Sequence, residues 1–286
     1  MGALTLPIEG QDCTVVASVS GGKDSTALML ALRESQIPAR YVFADTGWEA
    51  AETYAYLDLL RQRLDVVIDV VGVDGGMVER VRYRAGFPAR MQRWCTRELK
   101  LQPLRAYHDE LGVETINAMG VRAEESERRA AMPEWADDEE WGGWVWRPLM
   151  RWTVADVLAI HHRHGVPVNP LYTRGHDRVG CYPCIYSRKD EIAIIAANSP
   201  DRIDEIRKLE REMTDLRAAR NEERPGRYSH AQATFFQTRV PGRTMSIDEI
   251  VAWARTDRGG KQIPLLAEPP RGGCMRWGMC EAPPTD

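Results

Sequence analysis

No stretch of this chain stays apolar for the ~20 residues that a membrane-spanning helix needs. Its first residues lack a basic region leading into an apolar core, and position 6 is Leu where a myristoylation signal has Ser or Thr. The expectation is a cytoplasmic protein without a membrane partner. Positive charge is not in excess either. The 38 Lys and Arg face 42 Asp and Glu, a net charge of -4, which excludes a chain that binds nucleic acid over its whole surface. Internal repeats and low-complexity tracts are missing as well. Cysteine is sparse, with six in 286 residues at uneven spacing, so no disulfide framework is legible. With 43% hydrophobic and 28% charged residues, the chain can bury one large α/β core and carry an appendage.

What is present is the heptad Ser20-Gly21-Gly22-Lys23-Asp24-Ser25-Thr26, placed where a strand should hand over to a helix. Upstream, Cys13 to Val19 is short, β-branched and apolar, as buried parallel strands are. Downstream, the run opening at Ala27 predicts a helix to about Gln36, capped by Asp24 or Ser25. Two glycines let the backbone curl close to a ligand, and free amides at a helix start point toward an anion. Lys23 adds a point charge. The spacing is too short for a Walker loop and is not a dinucleotide Gly-x-Gly-x-x-Gly. A bare Ser-Gly-Gly reads as a turn, whereas the whole heptad after a strand reads as a phosphate loop.

A second strand is expected at Ala39 to Ala44, ending in Asp45-Thr46-Gly47-Trp48-Glu49, with a helix following to about Arg63. Further strands are expected at Val66 to Val71 and Glu114 to Met119. Strands alternating with helices predict an α/β fold with a doubly wound, mostly parallel sheet, its ligand crevice beyond the carboxyl ends of the strands. Thr153 with Asp156 makes a capping box for a helix to about His164. The later part has a helical stretch from about Pro200 to Glu222, a helix capped by Ser246 with Glu249, and a Gly- and Pro-rich tail. A boundary near residue 165 divides 1–165, the nucleotide-binding unit, from 166–286, a smaller, mainly helical cysteine-bearing region that is an appendage or a separate domain. Glu134 to Glu140 reads as an exposed acidic loop. His161, His162 and His164 read as complements to a helix dipole, and Trp141, Trp144, Trp146 and Trp152 as core or hairpin packing.

Local charge departs from the average. Between Arg80 and Arg105 lie seven arginines and Lys100 against only Glu98, interleaved with Tyr83, Phe87 and Trp94. That mixture suits phosphates and bases, or else a solvated helix face. Cys95 sits inside this segment, and Cys13 reads as a small core residue. Cys181-Tyr182-Pro183-Cys184 is a knuckle whose spacing in a reducing compartment indicates metal or redox chemistry. Cys274 and Cys280 offer further sulfurs. Structural zinc commonly uses two paired knuckles, whereas an iron-sulfur cluster accepts one pair plus scattered singles. A thioredoxin-type dithiol normally opens the first helix of its fold, and this pair lies far from that place.

Taken in order, Ser20 to Ser25, Asp45-Thr46-Gly47-x-Glu49, Trp94-Cys95-Thr96-x-x-Leu99-Lys100, Gly120-Val121-Arg122-Ala123-Glu124-Glu125-Ser126-x-x-Arg129 and Asn169-Pro170-Leu171-Tyr172 with Gly180-Cys181-x-x-Cys184 resemble the phosphoadenosine phosphosulfate reductase family of the PP-loop superfamily. The resemblance spans most of the first 190 positions and lies closer to the DndC-like branch of DNA sulfur modification. It implies an adenine nucleotide alpha hydrolase-like fold and cleavage of ATP between its α and β phosphates. Ser20, Gly21, Gly22, Lys23, Asp24, Ser25 and Thr26 would hold phosphates, with Asp24 placing Mg2+. Asp45, Thr46 and Gly120 would line the nucleotide site, and Arg122 would meet charge at the α phosphorus; Lys23, Asp24 and Arg122 are the expected catalytic residues. Cys95, Cys181, Cys184 and Cys280, with Cys274 as the alternative, would bind a [4Fe-4S] cluster. Expected partners are ATP, DNA or RNA on the Arg80 to Arg105 segment, and a sulfur donor protein. The loop keeps the lysine and second serine of an ATP pyrophosphatase, and the tail lacks the Glu-Cys-Gly-x-His segment of sulfonucleotide reductases, which leaves sulfite-releasing reduction as the alternative activity.

Overall fold

The apolar, β-branched run Thr14–Ser18 forms β1 at the centre of a six-stranded sheet. The computed structural model describes residues 4–6, 13–139, 141–228, 230, 232–240 and 243–256. Cys274, Cys280 and the rest of the tail lie outside the described residues. From β1 the chain passes through α1 (Lys23–Glu34), β2 (Ala39–Asp45), α2 (Ala51–Leu64) and β3 (Ile68–Gly72). It then crosses back to β4 (Thr115–Ala118) on the opposite side of β1. The strand order is β3-β2-β1-β4-β6-β5, with β6 at Gly143–Trp146 and β5 at Trp135–Asp138. All neighbours are parallel except the β5–β6 hairpin. The winding therefore reverses between β1 and β4, and the crevice beyond their carboxyl ends is the topological switch point.

Between β3 and β4 lie α3 (Gly76–Arg84) and a continuous helical rod. The rod runs as α4 (Trp94–Thr96), a π-helical segment at Arg97–Leu101, and α5 (Gln102–Glu110). A π segment inside a helix often marks a functional site, and this one carries Lys100. The chain continues through α6 (Glu127–Ala130), α7 (Val154–Arg163), α8 (Lys189–Asn198), α9 (Pro200–Glu223), the β7–β8 ribbon (Arg239–Val240, Arg243–Thr244) and α10 (Ile247–Ala254). The capping boxes expected at Thr153 and Ser246 are formed. No helix among the described residues is long and apolar enough to cross a membrane.

Two expectations need correction. The acidic stretch after Glu134 is not a loop: Trp135–Asp138 pairs antiparallel with β6, which places Trp135 beside Trp144 with ring centroids 5.1 Å apart. Helix α1 starts at Lys23 with Gly22 as its N-cap and no side-chain cap, so Asp24 and Ser25 belong to its first turn.

Among the described residues two large hydrophobic cores organise the fold, with a smaller third at Val16, Val42 and Leu104. One joins β1, β2 and β4 to α1, α2 and α7 through residues such as Leu28, Leu57, Ile116 and Ile160. The other gathers Trp48, Val81, Leu99, Ile195, Ile206 and Phe235, drawing on both the early crossover segments and the helices beyond Leu171. Trp48 is wholly buried there, stacked on Phe235 at 6.0 Å.

Candidate active site

The loop after β1 is held from several directions. Gly21 takes φ +72, a left-handed conformation natural to glycine. Ser25 Oγ donates to the Gly22 carbonyl at 3.0 Å and accepts the Ser20 amide at 3.1 Å, so the second serine closes the loop on itself. Asn169 Nδ2 donates to the Gly21 carbonyl at 3.1 Å, and the Lys23 amide donates to Tyr172 Oη at 3.2 Å. The Asn-Pro-Leu-Tyr segment is thus a brace for the phosphate loop. His161 contacts the Lys23 carbonyl through Nε2 at 2.9 Å and the Val166 carbonyl through Nδ1 at 3.1 Å. It is buried, and burial lowers its pKa, so the expected role as a charged complement to the helix dipole is replaced by a neutral strut. Sequence reasoning missed it because the partner is 138 residues away.

At the end of β4, Gly120 packs on the start of α1: a Cβ there would stand 2.6 Å from the Asp24 carbonyl oxygen. Arg122 is almost wholly buried, and its guanidinium reaches Asp24 Oδ1 at 2.5 Å and Glu124 at 2.5 Å. Lys23 Nζ meets the other Asp24 oxygen at 2.8 Å. Asp24 therefore stands between two cations beside the loop amides. Thr26 faces the core, donated to by Tyr56 Oη at 3.4 Å.

At the end of β2, Asp45 accepts the Tyr54 hydroxyl at 2.7 Å and the Gly47 amide at 2.8 Å. Thr46 donates through its hydroxyl to the buried Glu49 carboxylate at 2.8 Å. Glu49 also takes the Trp48 amide at 3.2 Å and stands 3.9 Å from both Lys100 Nζ and Cys181 Sγ. The cysteine knuckle is tied to this turn by its backbone. The Tyr182 amide donates to the Trp48 carbonyl at 2.7 Å, and Trp48 Nε1 returns a bond to the Pro183 carbonyl at 3.1 Å.

The result is one cavity of about 210 Å³ lined by Ser20 of the phosphate loop, Thr46, Lys100 and the three cysteines Cys95, Cys181 and Cys184. Burial raises the Cys95 thiol, and charge on Cys181 and Cys184 raises it further. Burial also raises Cys181, opposed by Lys100. Charge on Cys181 and then on Glu49 pushes Lys100 up despite burial, so the ammonium stays protonated facing the sulfurs.

A family model for the phosphoadenosine phosphosulfate reductase domain matches residues 14–187, from β1 to just past the knuckle. The chain belongs to the phosphoadenosine phosphosulfate reductase family. It is 34% identical over 88% of its length to an uncharacterized 37.8 kDa protein of Escherichia phage 186, covering 91% of that protein. It is 29% identical to an adenosine 5'-phosphosulfate reductase of Allochromatium vinosum, over 60% of this chain and 68% of that one. Among solved structures, the phosphoadenylyl-sulfate reductase of Candida auris in its phosphate complex aligns with TM-score 0.48 and 20% identity, over 59% of this chain and 81% of that one.

In this reductase-family chain the basic segment divides into two sets. Arg82 pairs with Glu79 at 2.8 Å and Glu212 at 2.7 Å, Arg84 with Glu98, and Arg97 with Glu98 at 3.2 Å. Arg82 thereby ties α3 to α9 and Arg84 ties α3 to the π-helical segment, while Arg97 pairs with its chain neighbour. Arg90 and Arg93 instead lie over the Tyr186 ring at 5.5 and 5.4 Å, and Arg93 and Tyr186 line the cavity.

Among the described residues no three His, Cys, Asp or Glu side chains stand as ligands of one metal ion. The thiols of Cys95, Cys181 and Cys184 nevertheless line one cavity, and charge on Cys181 and Cys184 raises Cys95. Cys13 lies apart from them, packed against the first core as expected.

Proposed function

We propose that this chain cleaves ATP between its α and β phosphates and uses the adenylate to activate an acceptor for sulfur transfer. The observation that carries this reading is the single cavity running from Ser20 of the phosphate loop to Cys95, Cys181 and Cys184. Nucleotide chemistry and sulfur chemistry would share one chamber.

An oxygen atom of the acceptor attacks the α phosphorus, the bond to the bridging oxygen breaks, and pyrophosphate leaves with that electron pair. A sulfur nucleophile brought by a donor protein then attacks the activated carbon, and AMP departs. Lys23 and the amides of the Gly21 to Ser25 loop bind the departing phosphates, and Arg122 meets charge at the α phosphorus. Asp24 is the carboxylate at the loop, and one carboxylate plus phosphate oxygens is the donor set that Mg2+ favours. Asp45 and Thr46 bound the nucleoside side at the end of β2.

Cys95, Cys181 and Cys184, with Cys280 or Cys274 from the tail, would hold a [4Fe-4S] cluster. When bound, such a cluster supplies a metal face for sulfur or a path for electrons. Lys100 keeps a positive charge opposite the thiolates, and Glu49 orients Lys100 and Thr46 around them.

A second reading, reduction of a sulfonucleotide to sulfite, is favoured by the similarity to adenosine 5'-phosphosulfate reductases. Anaerobically purified protein offered ATP and a sulfonucleotide in separate reactions distinguishes the two. AMP and pyrophosphate from ATP support adenylation; sulfite with ATP untouched supports reduction.

A further inference from the structure

We propose that the mouth of the cysteine cavity is a binding site for single-stranded nucleic acid, built from Tyr186 and the unpaired cations Arg90, Arg93 and Arg178. The inference rests on the adenylation reading and names its acceptor class.

The charge pattern singles this rim out. Arg82, Arg84 and Arg97 of the same basic segment are bound to carboxylates. Arg90, Arg93 and Arg178 are exposed and form no ion pair with a carboxylate among the described residues. Arg178 feels the buried Glu191 only at longer range. Three exposed guanidiniums, none in an ion pair with a carboxylate among the described residues, make this rim a local anion site on a chain of net charge -4.

Tyr186 is not loosely placed. Its hydroxyl donates to the Arg90 carbonyl at 3.1 Å, and the guanidiniums of Arg90 and Arg93 lie over its ring. Rigid aromatic and guanidinium planes are what unstacked bases pack against, with phosphates beside them. Tyr186, Arg93 and Arg178 also line the cavity that leads to the thiols and to Ser20. A base drawn past this rim would enter the cavity that holds the three thiols and reaches Ser20 of the phosphate loop.

A mononucleotide would need only the rim, but the same basic segment carries further exposed aromatic and apolar surface. Arg80 lies over Tyr83 at 6.0 Å, with Tyr83 72% exposed and Met91 94% exposed. A strand several nucleotides long could reach both, whereas a mononucleotide could not.

The test is fluorescence anisotropy of the full chain with labelled ~20-nucleotide RNA and DNA strands across a salt series, without ATP. Arg90→Gln/Arg93→Gln/Arg178→Gln should lower the slope of log affinity against log salt by about two, at roughly 0.7 per lost phosphate contact. Tyr186→Ala should weaken oligonucleotide binding at least tenfold while leaving heparin binding unchanged. Arg82→Gln, a structural pair, should leave the slope unaltered. Circular dichroism confirms that each variant is folded. An unchanged slope in the triple variant overturns the proposal, as does equal loss of heparin and oligonucleotide binding in Tyr186→Ala. Retained affinity for a mononucleotide with none for strands also overturns it, making the rim a small-molecule site. In a separate reaction supplied with ATP and the strand, absence of AMP with strand binding intact would overturn the adenylation reading instead.

Discussion

The imidazole Nε2 of His161 lies 2.9 Å from the carbonyl oxygen of Lys23, joining the end of α7 to the first turn of α1. A neutral ring carries one N–H, so it donates to Lys23 or to Val166 but not to both. His161→Leu should weaken ATP binding about tenfold, the worth of one hydrogen bond. His161→Gln, which keeps a donor, should restore most of it. Titration calorimetry with ATP reads both. Because burial lowers the pKa of His161, its contribution is present above the ordinary histidine value and is lost as pH falls through the lowered one.

Lys23→Ala and Asp24→Ala should each reduce AMP and pyrophosphate formation by roughly 100-fold or more, the scale seen when a charge stabilising a transition state is removed. Near-normal rates in both would remove the phosphate loop from the mechanism.

Gly120→Ala places a methyl group 2.6 Å from the Asp24 carbonyl oxygen, against backbone that cannot swing aside. A loss of about 1–3 kcal/mol in stability is expected, together with weaker nucleotide binding. Denaturant unfolding with and without ATP measures the two separately.

Cys184→Ser should bleach the brown absorbance of anaerobically purified protein and lower its iron content. Cys280→Ser and Cys274→Ser, compared side by side, identify the tail ligand: the one that loses iron holds the cluster. Unchanged iron in Cys184→Ser would contradict the ligand set.

Glu210 accepts the Phe235 and Ile247 amides, each at 2.9 Å, fastening α9 to the segment before β7 and to the start of α10. Burial outweighs these bonds and raises its pKa to about 7. The folded state therefore holds the proton more tightly than the unfolded one. Stability from this group is full below the ordinary glutamate value and declines as pH rises through about 7, by on the order of 3 kcal/mol. Glu210→Gln should flatten that decline in thermal melts between pH 5 and pH 8.

The sequence makes the strand-loop-helix unit at Thr14–Glu34 legible because a β-branched run, a glycine pair and a helical run sit side by side. Capping boxes at Thr153 and Ser246 are equally local and were readable. Strand β5 is hidden because its Trp-Ala-Asp-Asp composition looks like a loop, and only pairing with β6 makes it a strand. The brace formed by His161 and the bonds between Trp48 and the knuckle are invisible for another reason. They join residues more than 100 positions apart and depend on how helices pack. Within the basic segment, sequence shows which residues are cationic, whereas only the structure separates the arginines bound to glutamates from those at the cavity mouth.

The most direct test is nucleotide product analysis on anaerobically purified protein supplied with ATP and single-stranded nucleic acid. The adenylation account predicts AMP and pyrophosphate in equal amounts, lost in Lys23→Ala. ADP and phosphate, or untouched ATP alongside sulfite released from a sulfonucleotide, would contradict it.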